Sequence, residues 1–199
     1  MADSTTGTAI CTRLAAQDRH GPKESVPLAL STFGPRRPAS TIRAHLTAPA
    51  AVGQRDAPVV PFADSSGAVY VAWTHRTSRA NSVTLARVGT RGPTTQMVVS
   101  RQRGAMLDAV AAGPGRAIAV TWAAVLSSTN PLLTATYAAL RRGGSGPFAV
   151  ERLSPASSIV ARGSRVAFHP LTGQAVVAIP YHVGRTLAVG AAVSPRAAF

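Results

Sequence analysis

Cysteine is nearly missing from this chain: of 199 residues, only Cys11 is one. A single thiol forms no intrachain disulfide and builds no cysteine-based zinc site. Lysine is as scarce, with Lys23 alone. Acids are few: Asp3, Asp18, Glu24, Asp56, Asp64, Asp108 and Glu151. Aromatic residues make up 5% of the chain, too few for the stacking platforms that hold single-stranded nucleic acid. No apolar run approaches the ~18 residues needed to span a membrane. The lead segment does not read as a secretory signal, because Asp3 precedes any positive charge and Thr12-Arg13 interrupt the apolar stretch at Ala9-Ile-Cys11. Localisation is therefore open. An extracellular or cell-surface place would require a leader lost by truncation ahead of this start.

Motifs of known chemistry are also wanting. The histidines, His20, His45, His75, His169 and His182, form no HxxxH or HExxH pair. His169 and His182 flank the inner strands of the last unit, within reach of each other if a hairpin folds them together. The plainer reading makes them polar residues at strand ends. Gly143-Gly-Ser-Gly146 lacks the spacing of a nucleophile elbow and reads as a flexible turn. No phosphate-binding glycine loop occurs, and no cofactor or metal is implied.

What is present is a repeat. Gly67-Ala-Val-Tyr-Val-Ala-Trp73 returns as Gly115-Arg-Ala-Ile-Ala-Val-Thr-Trp122, and again without tryptophan as Gly173-Gln-Ala-Val-Val-Ala-Ile179. The two tryptophans lie 49 residues apart. A period of this size marks stacked supersecondary units. Before each copy stands an apolar segment and a turn: Asp64-Ser-Ser-Gly67, Gly113-Pro-Gly115, Pro170-Leu-Thr-Gly173. These residues suit a chain reversal, since glycine supplies positive φ, proline fixes φ, and Asp or Ser bonds the turn backbone. A third strand follows at 82–88, 132–139 and 186–193, and a fourth at 95–100 and 148–154. Four short strands per ~40–50 residues is the pattern of a propeller blade.

The expectation is therefore an all-β protein, a β-propeller-like stack of four-stranded antiparallel blades forming an incomplete ring. An irregular polar lead covers 1–25. The repeat region covers 26–199, with a partial blade at 26–49, blades at 50–100 and 101–155, and a partial blade at 156–199. Segments 27–33 and 41–47 supply the outer half of the first blade. Two full and two partial blades do not close a ring of ~4–8. A fragment, self-assembly or an open stack would each account for that. The fragment is preferred because the sequence starts and stops inside a blade.

The formal net charge is +14. Such a balance raises nucleic acid as a partner. The arginines, however, are scattered among turns, with Arg36-Arg37 and Arg141-Arg142 the densest spots. Solvated turn charge is the preferred reading. Binding to nucleic acid would instead show affinity falling steeply with salt.

The residues from Asp64 to Trp73, with Gly115 to Trp122, resemble the β-propeller repeats of the sialidase-like superfamily over roughly 57–193. The resemblance implies a fold and carries over no active site. Asp64 has no Ser two residues before it, as an Asp-box would, and Tyr70, Tyr137 and Tyr181 do not complete a sialidase site. Glycoside hydrolysis ordinarily uses two positioned carboxyl groups. Asp56 and Asp108, at or just before the first strand of a blade, are the candidates for ligand binding, with hydrogen bonding to strand backbone as their plainer role. No catalytic residue is assigned. The expected function is a non-enzymatic binding or scaffold module, with glycan or protein as ligand and with self-association at uncovered edges. A fragment of a sialidase-like glycosidase is the first alternative, a basic nucleic-acid-binding protein the second.

Overall fold

The computed structural model describes residues 9–14, 25–34, 37–47, 59–76, 81–89, 92–100, 102, 104–127, 129–130, 133–155, 163–183 and 186–194. Among them the strands form four antiparallel sheets. The first holds β1 (Ala9–Leu14), β2 (Ser25–Gly34) and β3 (Arg37–Thr47). The second holds β4 (Val60–Ala63), β5 (Val69–Arg76), β6 (Asn81–Gly89) and β7 (Gly92–Ser100). The third holds β8 (Met106–Ala112), β9 (Ile118–Val125), β10 (Thr134–Arg141) and β11 (Ala149–Arg152). The fourth holds β12 (Arg165–Phe168), β13 (Ala175–Val183) and β14 (Thr186–Val193). Each sheet is a meander whose strands pair in chain order.

The sheets stack in sequence order. β1 lies against β4, β4 against β8, and β8 against β12. Each sheet thus lays its first strand beside that of its neighbour, as the inner strands of a propeller do. Among the described residues the stack is not closed, and its sheets hold three, four, four and three strands in turn.

Two expectations are corrected. The lead to residue 25 is not wholly irregular, for β1 pairs with β2 from Ala9↔Phe33 to Leu14↔Leu28. The β-branched Ile10 and Thr12 suit a strand, and a waiting edge outweighs the polar composition around them. The first sheet accordingly has three strands, where only an outer pair was expected. The tryptophans are each fifth in an eight-residue strand, β5 and β9, and both are buried, at 1% and 0% exposure.

The core between the second and third sheets follows from alternation. Side chains on a strand point to opposite faces with a period of two. Ile118, Val120, Trp122 and Ala124 of β9 therefore share a face, and they pack with Tyr70, Leu85 and Leu107. The other face of β9 carries Ala119, Thr121 and Ala123, all buried toward the fourth sheet. Both faces of β9 are covered, which is why its sequence is apolar with hardly a break.

Hydrogen bonds stitch one sheet to the next. The Leu107 amide donates to Thr74 Oγ1 at 2.9 Å, from the third sheet to the second. At the opposite end the turn after β8 holds Gly113 under the ring of Phe168 from β12. A Cβ on Gly113 would lie 2.5 Å from that ring, so only glycine lets the two sheets approach this closely there.

Candidate functional site

Asp108 does not stand free at the start of a strand. The pairing of β8 with β9 shifts register between Leu107 and Ala109, so Asp108 is the extra residue of a bulge. Bulges re-aim a side chain, and this one turns the carboxylate toward the fourth sheet. The Ser164 hydroxyl donates to Asp108 Oδ2 at 2.8 Å and lies 3.0 Å from Thr121 Oγ1. Ser164 and Thr121 are fully buried. Ser164 immediately precedes β12, so the trio ties the third sheet to the fourth much as Leu107 and Thr74 tie the second to the third. The plainer role expected of Asp108 was a hydrogen bond to strand backbone, whereas the contact to Ser164 is to a side-chain hydroxyl of the neighbouring sheet. Asp56 lies outside the described residues.

Asp64 is the more elaborate carboxylate. Its Oδ1 accepts from the Ser66 amide at 2.8 Å, the Ser66 hydroxyl at 2.6 Å and the Ala68 amide at 3.1 Å, and its Oδ2 accepts from the Tyr70 hydroxyl at 3.3 Å. The turn chemistry of Asp-Ser-Ser-Gly was legible in sequence. The Tyr70 hydroxyl, two turns of alternation further on, was not. Burial alone would raise the pKa of Asp64, but these four donors outweigh it and hold the carboxyl below its ordinary value. The depressed pKa gives a testable sign. Its stabilisation is present above the unfolded-state value of ~3.9 and is lost as pH falls through the lower folded value. Asp64→Ala is expected to cost about 1–3 kcal/mol at neutral pH. Urea titrations should show the gap between wild type and variant narrowing only in strong acid. A gap that is constant with pH would mean that the ionised carboxylate is not what stabilises the turn.

The described carboxylates do not form a catalytic pair. Asp64 follows β4 at one end of the second sheet, whereas Asp108 sits at the far end, level with Thr74. Six residues of β5 separate those levels, about 20 Å at ~3.3 Å per residue. Glu151 lies on β11, three strands from Asp108, about 14 Å at ~4.8 Å per strand. Glycosidase carboxyl pairs stand about 5–9.5 Å apart. Among the described residues, no group of three His, Cys, Asp or Glu is placed to hold a metal ion.

The histidine pairing weighed from sequence is corrected. His169 follows β12, and its Nδ1 accepts from the Leu171 and Thr172 amides at 3.3 and 3.2 Å, closing the turn. His182 lies seven residues beyond Ala175 on β13, about 23 Å along an extended strand. The hairpin carries the two apart, because its turn adjoins His169 while His182 is at the opposite end.

Two described arginines bond nearby backbone: Arg152 Nε donates to the Ser154 carbonyl, and Arg165 Nη1 to the carbonyls of Gly163 and Ser164. Arg141 is buried.

A cleft of about 720 Å³ lies between the third and fourth sheets. β10 and β11 form one wall, with Ala138, Leu140 and Glu151. β13 and β14 form the other, with Val177, Ala192 and Ser194. The lining is mostly aliphatic, and sequence alone gave no sign of it. Beyond the cleft, the outer face of the fourth sheet exposes Leu187, Val189 and Val193 at 58%, 70% and 57%.

No family model matches this sequence, and no curated protein matches it. Among solved structures, the chain is similar to an endo-arabinase from Bacteroides thetaiotaomicron VPI-5482. The match has 12% identity and a TM-score of 0.43, and covers 88% of this chain and 72% of the other. Among the described residues, no helix is long and apolar enough to cross a membrane.

Proposed function

We propose that this chain is a non-enzymatic scaffold module that binds protein through its fourth sheet. One observation carries the reading: Leu187, Val189 and Val193 lie side by side on one face of β14, each more than half exposed. Isolated exposed aliphatics are ordinary, but a contiguous apolar sheet face beside an open cleft marks a contact surface. Protein is favoured over glycan by the aromatics. Sugar rings are gripped by exposed aromatic faces; among the described aromatics Tyr70, Trp73 and Trp122 are buried, and Phe62, Tyr137, Phe148, Phe168 and Tyr181 are half-buried. The commitment of Asp108 to Ser164 supports a structural use of that carboxylate. A hydrolytic role would need carboxyl groups from outside the described residues.

The test is direct. The purified chain is expected to leave aryl glycosides intact, and Asp108→Asn is expected to change neither that result nor binding. Hydrolysis by the wild type that disappears in Asp108→Asn would reverse the reading in favour of a glycosidase.

A further inference from the structure

Every sheet edge among the described residues but one carries a feature that discourages pairing with another strand. Such features are charge, proline, bulges and short length. β1 carries Arg13, and β3 carries Arg37, Pro38 and Arg43. β4 is four residues long and contains Pro61. β7 contains Pro93, and its pairing with β6 shifts register twice. β8 has its bulge at Asp108. β11 and β12 have four residues each, with Glu151 and Arg152 on one and Arg165 on the other. β14 differs: Thr186-Leu-Ala-Val-Gly-Ala-Ala-Val193 runs eight residues without charge, proline or register shift.

Among the described residues the fourth sheet also has one strand fewer than the third, which it packs against. The second and third sheets have four strands and the fourth has three, ending at β14. The cleft beside β14 opens where a fourth strand would stand, since its opposite wall includes Glu151 and Leu153, on and just after the outermost strand of the third sheet.

Hydrogen-bond parity fixes which groups the edge offers. The Ser194 amide donates to the Ala175 carbonyl at 2.9 Å. Inward and outward groups alternate along an antiparallel strand. Ala188, Gly190 and Ala192 therefore bond toward β13. Leu187, Val189, Ala191 and Val193 point their backbone N–H and C=O groups to the outer edge.

We propose that β14 pairs antiparallel with β14 of a second copy of this chain, across a two-fold axis at Gly190. The proposal rests on the scaffold reading and names its partner. A strand pairs with itself only if its residues suit their symmetry mates. Here Leu187 meets Val193 and Val189 meets Ala191, so every outward pair is apolar and no like charges oppose. Gly190 meets its own copy in the close, non-hydrogen-bonded pair at the axis, where the absence of a side chain leaves room. The partner strand extends the fourth sheet beyond β14, and its flank covers the cleft beside β11.

Sedimentation velocity of the full chain is expected to show a dimer that dissociates on dilution. Ala191→Pro removes an outward N–H and leaves the β13 ladder intact. It should weaken association by on the order of tenfold or more, because symmetry removes the bond twice. Val189→Lys places charge beside the edge and should act likewise, which decides the matter if the proline variant loses its β-sheet circular dichroism. A monomeric wild type overturns the pairing, as do assemblies unchanged by both variants. Neither result touches the glycoside assay, so failure of the dimer and failure of the non-enzymatic reading remain distinguishable.

Discussion

Replacing Trp122 with alanine is expected to lower the unfolding free energy by about 3–5 kcal/mol. Domains of this kind have roughly 5–15 kcal/mol in all, so the loss would bring the chain near its threshold. Trp122 is fully buried and stacks on Tyr137 of the neighbouring strand, with centroids 5.8 Å apart and planes 10° apart. Its Nε1 donates to Gln102 Oε1 at 2.8 Å. Gln102 lies in the link between β7 and β8, so one indole joins sheet to sheet by packing and pins the connecting chain by a hydrogen bond. Alanine removes the ring, opens a cavity between two sheets that cannot collapse independently, and strands the Gln102 carbonyl. Trp122→Phe should cost less, because the stack on Tyr137 survives and only the indole bond is lost. Equilibrium urea unfolding followed by far-ultraviolet circular dichroism measures both. A loss below about 1 kcal/mol for Trp122→Ala would place the residue outside a packed sheet interface, contrary to the range for large-to-small core changes.

That tryptophan was legible because it repeats. The Gly-to-Trp segment carries turn, strand and inward residue together, and 49 residues later the same sheet layer must be built again. The third and fourth strands of the later units were legible for the same reason: apolar runs bounded by turn residues admit few other structures. β1 was not legible, because a six-residue strand in polar surroundings exists by virtue of the edge it joins. The candidate site was less readable still. The bulge that turns Asp108 toward Ser164 depends on a residue 56 positions away. The His169–His182 separation depends on which end of β13 adjoins the turn, which was inferable by counting along one extended strand. The pairing edge of β14 was visible in part as an uncharged run at 186–193. Its meaning emerged only when the other edges were seen to be blunted.

Arg141 is where scattered charge and sheet geometry collide, and Arg141→Met is expected to leave stability unchanged or raise it by up to about 1–4 kcal/mol, as when buried ionic groups give way to apolar ones of similar volume. The register of β10 against β9 sets Tyr137, Ala139 and Arg141 on the face that meets the second sheet. Arg141 is 3% exposed as a result. Its Nη1 donates to Met97 Sδ, a weak acceptor. Its guanidinium carbon lies 5.2 Å from the centre of the Phe148 ring, a contact worth roughly 2 kcal/mol when desolvated. Nε and Nη2, the edge that would grip a carboxylate with two parallel bonds, have no acceptor among the described residues. Against one ring contact and one weak bond stands the loss of hydration of a permanent cation, several kcal/mol even after relaxation. Desolvation therefore wins. Methionine keeps the length, fills the space beside Met97 and sets sulfur near the Phe148 ring, itself favourable. Arg141→Lys gives the contrasting outcome: the charge stays buried, the planar contact with Phe148 is lost, and stability should fall. A urea midpoint that rises for Met and drops for Lys, with the slope unchanged, would establish the cation as a destabilising element within the stack. A loss of more than about 2 kcal/mol in Arg141→Met would show instead that the guanidinium finds a strong acceptor in the folded protein, since breaking a satisfied buried ion pair costs about 3–5 kcal/mol.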